Sequence, residues 1–291
     1  MPRMYTTPDE ARSDLYLAGA VYLFGDLLLG VFLRLVPLGE IPYLGVAILA
    51  LLPLVTTIVV PYLLIRYRKE RLADYGLTGP SPLFLRGLLI GVPLVVAAVV
   101  GGLLAGPDSG LGMPLVTLAL TGSVFEVVNR LAFFFGVTLL AIYATVKARD
   151  AFRADPSYVA STMVRIGRVL AVVSAAASVL LALSTVVAGE NLLGRSALLL
   201  YPLAVGGSAW LAHREVTGRQ VTSRAILLTP AVVFALGAFF LSFDAYAFTF
   251  GVWRASYLAG LGLIVGVLVE SQRFAWGPLG LATVMALLTY L

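Results

Sequence analysis

The chain has no cysteine, a single histidine and few charged residues of any kind. Each shortage excludes something. Without cysteine there is no disulfide, no thiolate zinc site, no thiol nucleophile and no lipid attached through sulfur. With His213 as the only histidine, no mechanism that needs two can operate. A P-loop, a dinucleotide-binding fingerprint and an HExxH zinc motif are also missing. Charge is the most telling shortage. Asp, Glu, Lys and Arg make up 12% of the 291 residues, whereas a soluble domain keeps about 25%.

What is present is apolar. Hydrophobic residues form 60% of the chain, and its mean hydropathy is +0.99. Too little polar surface remains to cover a water-facing globule, and disorder is excluded by the same figures. Lipid is the implied solvent. The expected fold is all-α: a polytopic integral membrane protein forming one transmembrane domain over residues 1–291. A spanning helix needs about 20 apolar residues, so the chain has room for about eight or nine transmembrane helices.

Apolar runs lie at about 14–36, 42–65, 83–105, 113–146, 164–188, 194–212, 225–248, 253–270 and 274–291. Helices are the open-ended solution, because lipid cannot satisfy free backbone groups. A barrel would show short alternating segments instead. Basic residues orient the spans. With the N-terminus cytoplasmic, the inner segments carry sixteen: Arg3 and Arg12; Arg66, Arg68, Lys69, Arg71 and Arg86; Lys147, Arg149, Arg153, Arg165 and Arg168; Arg214, Arg219 and Arg224; and Arg273. The outer edges carry Arg34, Arg195 and Arg254, and Arg130 lies within a span. This asymmetry fits the positive-inside rule loop by loop. The last run either crosses or packs partly in the membrane. The first run reads as a retained signal anchor. Plasma membrane is the expected location. A net charge of +5 then reflects basic inner loops facing anionic lipid, with no nucleic-acid partner.

Gly87/Gly91 and Gly262/Gly266 have GxxxG spacing, which allows close helix packing. Tyr62, Tyr67, Trp253 and Trp276 read as interfacial belt residues, and His213, after Trp210, as the solvated end of a helix. Charges inside the bilayer cost about 2.5–3.5 kcal/mol each, so they have partners or functions. These are Asp26, Glu126, Arg130 and Asp244, with Asn129 beside them and Arg34 and Arg254 nearer the outer edge. Glu126 and Arg130 are four apart and share a helix face. They form either an internal ion pair that lowers the burial cost of both, or a carboxylate held by Arg in a polar cavity. Asp26 pairs with an Arg on another helix in the structural reading.

Phe125-Glu126-Val127-Val128-Asn129-Arg130 resembles the E-E-x-x-x-R motif of the CPBP intramembrane proteases, which include the CAAX-processing proteases and bacteriocin-immunity proteins. The lead-in Asp74-Tyr75-Gly76-Leu77-Thr78-Gly79, followed by Arg86, is similar too. Phe240-Leu241-Ser242-Phe243-Asp244 has the spacing of the family's F-x-x-x-H motif. Tyr257 to Glu270, then Trp276-Gly277-Pro278, resembles the helix, turn and final helix of the third motif, H-x-x-x-N. The resemblance covers residues 70–291. It implies an intramembrane endopeptidase acting on membrane-associated peptides, with Glu126, Arg130 and Asp244 as its catalytic positions.

The chemistry departs from that pattern. Phe125 replaces the family's water-activating glutamate, Asp244 its second-motif histidine, and Ala282 and Ala286 the histidine and asparagine of its oxyanion site. Hydrolysis needs an activated water and preorganised donors, and losing one donor costs about 10²–10³-fold in rate. A catalytically inactive relative is therefore the favoured expectation. No cofactor is required by the sequence. Glu126 and Asp244 together can share a proton or hold a divalent metal cation. Three functions compete: cleavage of a membrane-anchored peptide, a non-catalytic module binding such a peptide or a protein partner, and transport of protons or solute along Asp26, Glu126, Arg130 and Asp244. Against transport, the two halves show no inverted repeat.

Overall fold

The computed structural model describes residues 6–35, 51–79, 82–105, 124–151, 200–216, 229–235, 245–272 and 275–288. Among these residues there is no strand, and the architecture is all-α.

Helix α1 spans Pro8–Leu35, and its start is written in Thr7-Pro8-Asp9-Glu10. The Thr7 N–H and hydroxyl donate to Glu10 Oε2 at 2.8 and 2.9 Å, and the Glu10 N–H donates to the Thr7 hydroxyl at 3.3 Å. This reciprocal cap satisfies donors that the first turn leaves free. Pro8 lacks an N–H that would be unused there.

Helix α2 spans Leu51–Tyr67 and widens to a π turn at Val55–Val59. Pro61 explains the widening. It cannot donate to the carbonyl four residues back, so the ladder shifts by one and the Val60 N–H reaches the Val55 carbonyl. The Thr56 and Thr57 hydroxyls turn back onto the Pro53 carbonyl at 3.1 and 2.6 Å. Both threonines are buried in neighbouring helices. A Cβ at Gly25 of α1 would run into Thr56, and one at Gly136 into Thr57.

A turn follows, with Lys69 at φ 58°, then a single 3-10 turn over Leu72–Tyr75, closed by Gly76 at φ 71°. Helix α3 is Leu83–Ile90 and α4 is Val92–Ala105. They are nearly continuous, and Pro93 accounts for the break because it has no N–H for the α3 ladder. Helix α5 is Val124–Ala151, α6 is Leu200–Val216, α7 covers residues 229–235, α8 is Ala245–Gln272 and α9 is Trp276–Leu288.

Helix α5 is central. It packs on α1, on the π turn, on α8 and on α9, while α9 also lies along α3, and α6 sits between α4 and α8. Phe134, Leu140, Ile142 and Tyr143 of α5 are buried, as are Leu261, Val265 and Leu268 of α8. Glycine sets the closeness of α3 and α9. A Cβ on Gly87 would strike the Gly277 carbonyl, and one on Gly280 the Phe84 carbonyl. Gly91 faces Val284. The Gly87/Gly91 spacing therefore serves close packing, as expected. Gly262 does so as well, against the backbone of Pro230.

Among the described residues, two helical stretches are long and apolar enough to cross a membrane, Leu83–Gly101 and Leu131–Ala151. The first leaves Leu85, Leu89, Val92, Val96 and Val99 exposed, as is Leu103 just beyond it. Two boundaries differ from the sequence expectation. Residues 245–248, assigned to the run 225–248, begin α8 instead, and α1 begins at Pro8, ahead of the run 14–36. The last run is helical over 13 described residues, about 20 Å at 1.5 Å per residue. Its Gly277–Ala282 stretch is buried against protein. The run 164–188 lies outside the described residues.

Candidate functional site

The residues carrying the protease resemblance are the first to place. Glu126, Asn129 and Arg130 fall in the opening turns of α5, where Glu126 and Arg130 stand one turn apart. Their side chains lie outside the described residues, as do those of Asp26, Arg34 and Arg254 and the whole of Asp244. The same holds for a cation shared by Glu126 and Asp244. Among the described residues, no group of His, Cys, Asp or Glu is arranged to hold a metal ion.

Ala282 and Ala286 are described. Both are completely buried on α9, which is pressed against α3 and α5. An imidazole or a carboxamide at either position would have to displace atoms already packed around it. The lead-in segment is tied to this helix. The Ala275 N–H donates to the Gly76 carbonyl at 3.1 Å, and Trp276 Nε1 donates to the Thr78 carbonyl at 2.7 Å. Trp276 also meets the Phe84 ring edge-on at 6.4 Å. Its N–H is thus engaged by a backbone carbonyl at a point still open to the surroundings. Trp210, by contrast, is exposed beside the Arg214 guanidinium, 5.1 Å from its ring centre.

The polar centre of the described structure lies elsewhere, and the sequence reading did not single it out. At one end of the bundle the start of α1, the turn after α2 and the last turns of α5 converge on Lys147. Its side chain is fully buried. Nζ donates to Asp14 Oδ2 at 3.0 Å and to Glu70 Oε1 at 2.8 Å, and it lies 5.7 Å from the centre of the Tyr143 ring.

Asp14 is held on its other side by Arg68, with Nε and Nη2 at 3.2 and 2.9 Å from Oδ1. Arg68 Nη1 continues to Glu10 at 2.8 Å. Glu70 also accepts from the hydroxyls of Thr6 and Tyr75, and the Tyr75 ring stacks on Tyr143 at 5.6 Å. The buried members balance: Asp14 and Glu70 against Lys147 and Arg68.

These contacts set protonation. The Glu10 carboxyl is held below its ordinary value by the Thr7 backbone N–H and hydroxyl. Arg68 is raised, first by its bond to Asp14. Burial, and then the bond to Glu70, push the Tyr75 phenol far up, so it remains a donor.

No protein-family model, curated protein or solved structure matches this chain.

The chemical capacity of the cluster follows from its saturation. All four oxygens of Asp14 and Glu70 accept hydrogen bonds from the protein. A general base needs a free lone pair within reach of a substrate proton; here every oxygen is engaged, and only Glu70 Oε2, which accepts from Tyr75 alone, keeps a second lone pair. The cluster is an ionic latch joining three segments. One polar atom beside it is unsatisfied among the described residues, the buried Tyr143 hydroxyl. The sequence carried no specific signal for the latch. Asp14 and Glu70 are acids in segments marked by basic residues, a placement they share with Asp9, Glu10 and Asp74. Lys147 was counted among the orienting basic residues; instead it is consumed as the counter-ion of both.

Proposed function

We propose that this chain is a polytopic membrane protein, divergent from the CPBP proteases, that binds a membrane-anchored peptide or protein without cleaving it. Eight to nine spans, a cytoplasmic N-terminus and a plasma-membrane location belong to this reading. The carrying observation is the complete burial of Ala282 and Ala286 on α9. The two positions that supply oxyanion donors in the resembling family are here occupied by methyl groups packed into the core. Phe125 removes the water-activating carboxylate as well. Without either element, peptide hydrolysis loses its main sources of acceleration.

The membrane reading is supported by the exposed Leu and Val side chains of α3 and α4, which lipid would cover. The latch adds to it. Its members come from the segments that the positive-inside count assigns to the cytoplasm, and an ionic cluster is far less costly there than at mid-bilayer.

The test uses purified protein in nanodiscs with prenylated and transmembrane peptides, with and without divalent cations. The expected result is retention of peptide with no cleavage. Cleavage that disappears in Glu126→Gln would overturn the proposal and restore the enzymatic reading.

A further inference from the structure

We propose that the outward face of α2 holds one anionic phospholipid, its phosphate gripped by Arg66, Lys69 and Arg71 and its acyl chain lying along Leu63, Val59 and Val55. The inference rests on the membrane reading above.

The fold sorts a run of four cations. Arg66, Arg68, Lys69 and Arg71 are close in sequence, but Arg68 turns inward and is neutralised by Asp14 and Glu10. The other three are exposed, and among the described residues none forms an ion pair. Asp74, the acid of the same turn, is engaged by the Arg71 backbone N–H at 3.0 Å. Lys69 adopts a left-handed backbone conformation, which turns the chain sharply between Arg66 and Arg71. The three cations therefore share one short turn with no ion-pair partner among the described residues.

Directly above them is an apolar stripe. Val55, Val59, Tyr62, Leu63 and Arg66 recur at helical spacing, and the four apolar members are exposed. From Val55 to Arg66 the helix rises about 16 Å, close to one leaflet of a ~30 Å hydrocarbon core. Tyr67, 76% exposed, lies at the junction, where an amphipathic ring suits the headgroup level. The Arg68 guanidinium, 5.4 Å from its ring centre, braces it. Charge and length together select a lipid with an anionic phosphate headgroup.

The experiment is native mass spectrometry of the full chain from neutral detergent, with phosphatidylglycerol and phosphatidylcholine supplied equally. Each cation near an anionic headgroup contributes roughly a factor of five, so about a hundredfold preference for phosphatidylglycerol is expected. The preference should vanish in Arg66→Gln/Lys69→Asn/Arg71→Gln and persist in Arg12→Gln. Glycerol 3-phosphate, which lacks an acyl chain, should not compete. Equal retention of both lipids, a preference surviving the triple variant, loss of preference in Arg12→Gln, or displacement by glycerol 3-phosphate would each overturn the assignment. Alkaline extraction of cell membranes separates the two failures. A chain released by carbonate sinks the membrane reading itself, whereas a retained chain without lipid preference sinks only this site.

Discussion

Lys147→Met is the sharpest perturbation of the latch. Methionine matches the length of the lysine stem, so the substitution removes charge and donors while nearly conserving volume. Asp14 keeps Arg68 as counter-ion. Glu70 does not fare as well: it is left with the hydroxyls of Thr6 and Tyr75 and no cation. Removing one partner of a buried pair costs about 3–5 kcal/mol, because the remaining charge is uncompensated. Two retained hydroxyl donors place this case at the lower end, about 3 kcal/mol. For a chain of 291 residues that is a drop in Tm of roughly 5 °C. Thermal unfolding in detergent, followed by the fluorescence of the three tryptophans, measures it. Glu70→Gln in the Lys147→Met background removes the orphaned charge and should recover about 1–3 kcal/mol, a coupling that distant residues do not show. A Lys147→Met protein that melts within ~2 °C of the parent, or a double variant that melts no higher than the single one, would refute the latch.

Gly87→Ala should destabilise by about 2–4 kcal/mol, since its methyl meets the Gly277 carbonyl, which cannot move aside; Gly19→Ala, which meets open space, should be neutral or stabilising by up to ~1 kcal/mol. Both are read from the same melts. Thr7→Ala removes the α1 cap and should cost about 1 kcal/mol. Stability should fall at both pH extremes. Tyr75 is raised above its ordinary value of 10.0, so its contribution is complete below pH 10 and declines as pH rises further; in Tyr75→Phe that alkaline decline should flatten. Glu10 is lowered from 4.5, so its contribution is present above that pH and fades as pH falls; Glu10→Gln should remove this acid dependence. Because the chain has no cysteine, single cysteines at exposed positions report topology without background: a thiol at Arg12 should react from the cytoplasmic side and one at Leu103 should be shielded by lipid, and rapid aqueous labelling at position 103 would contradict the membrane reading.

The α1 cap was not read from the sequence, which placed the first run from residue 14, although capping is local: Thr7 and Glu10 satisfy one another whatever lies further along the chain. The Gly87/Gly91 packing face was legible, since the absence of a side chain is itself the signal. For Trp276 the sequence alone suggested a belt residue, because aromatic residues near a predicted helix end look alike. Whether the indole N–H faces headgroups or the Thr78 carbonyl, 198 residues away, is a tertiary fact. The protease resemblance is one of spacing, with Ala282 and Ala286 where its donors would stand. The sequence did not reveal that both alanines are completely buried on α9.

By itself the sequence determined the all-α class and pointed to lipid as the proposed solvent. A composition with so little charge cannot cover a globule, and continuous apolar runs satisfy their backbone only as helices. It also excluded thiol chemistry and two-histidine catalysis, because those depend only on which residues exist. Tertiary structure decided which charges pair. Arg66, Arg68, Lys69 and Arg71 are indistinguishable as a run, yet packing sends one inward to Asp14 and leaves three outside. Lys147 reads as one more orienting cation until α1 and the turn after α2 bring Asp14 and Glu70 to it from 133 and 77 residues away. Electrostatic partnership depends on distance and burial, and neither is carried by residue order.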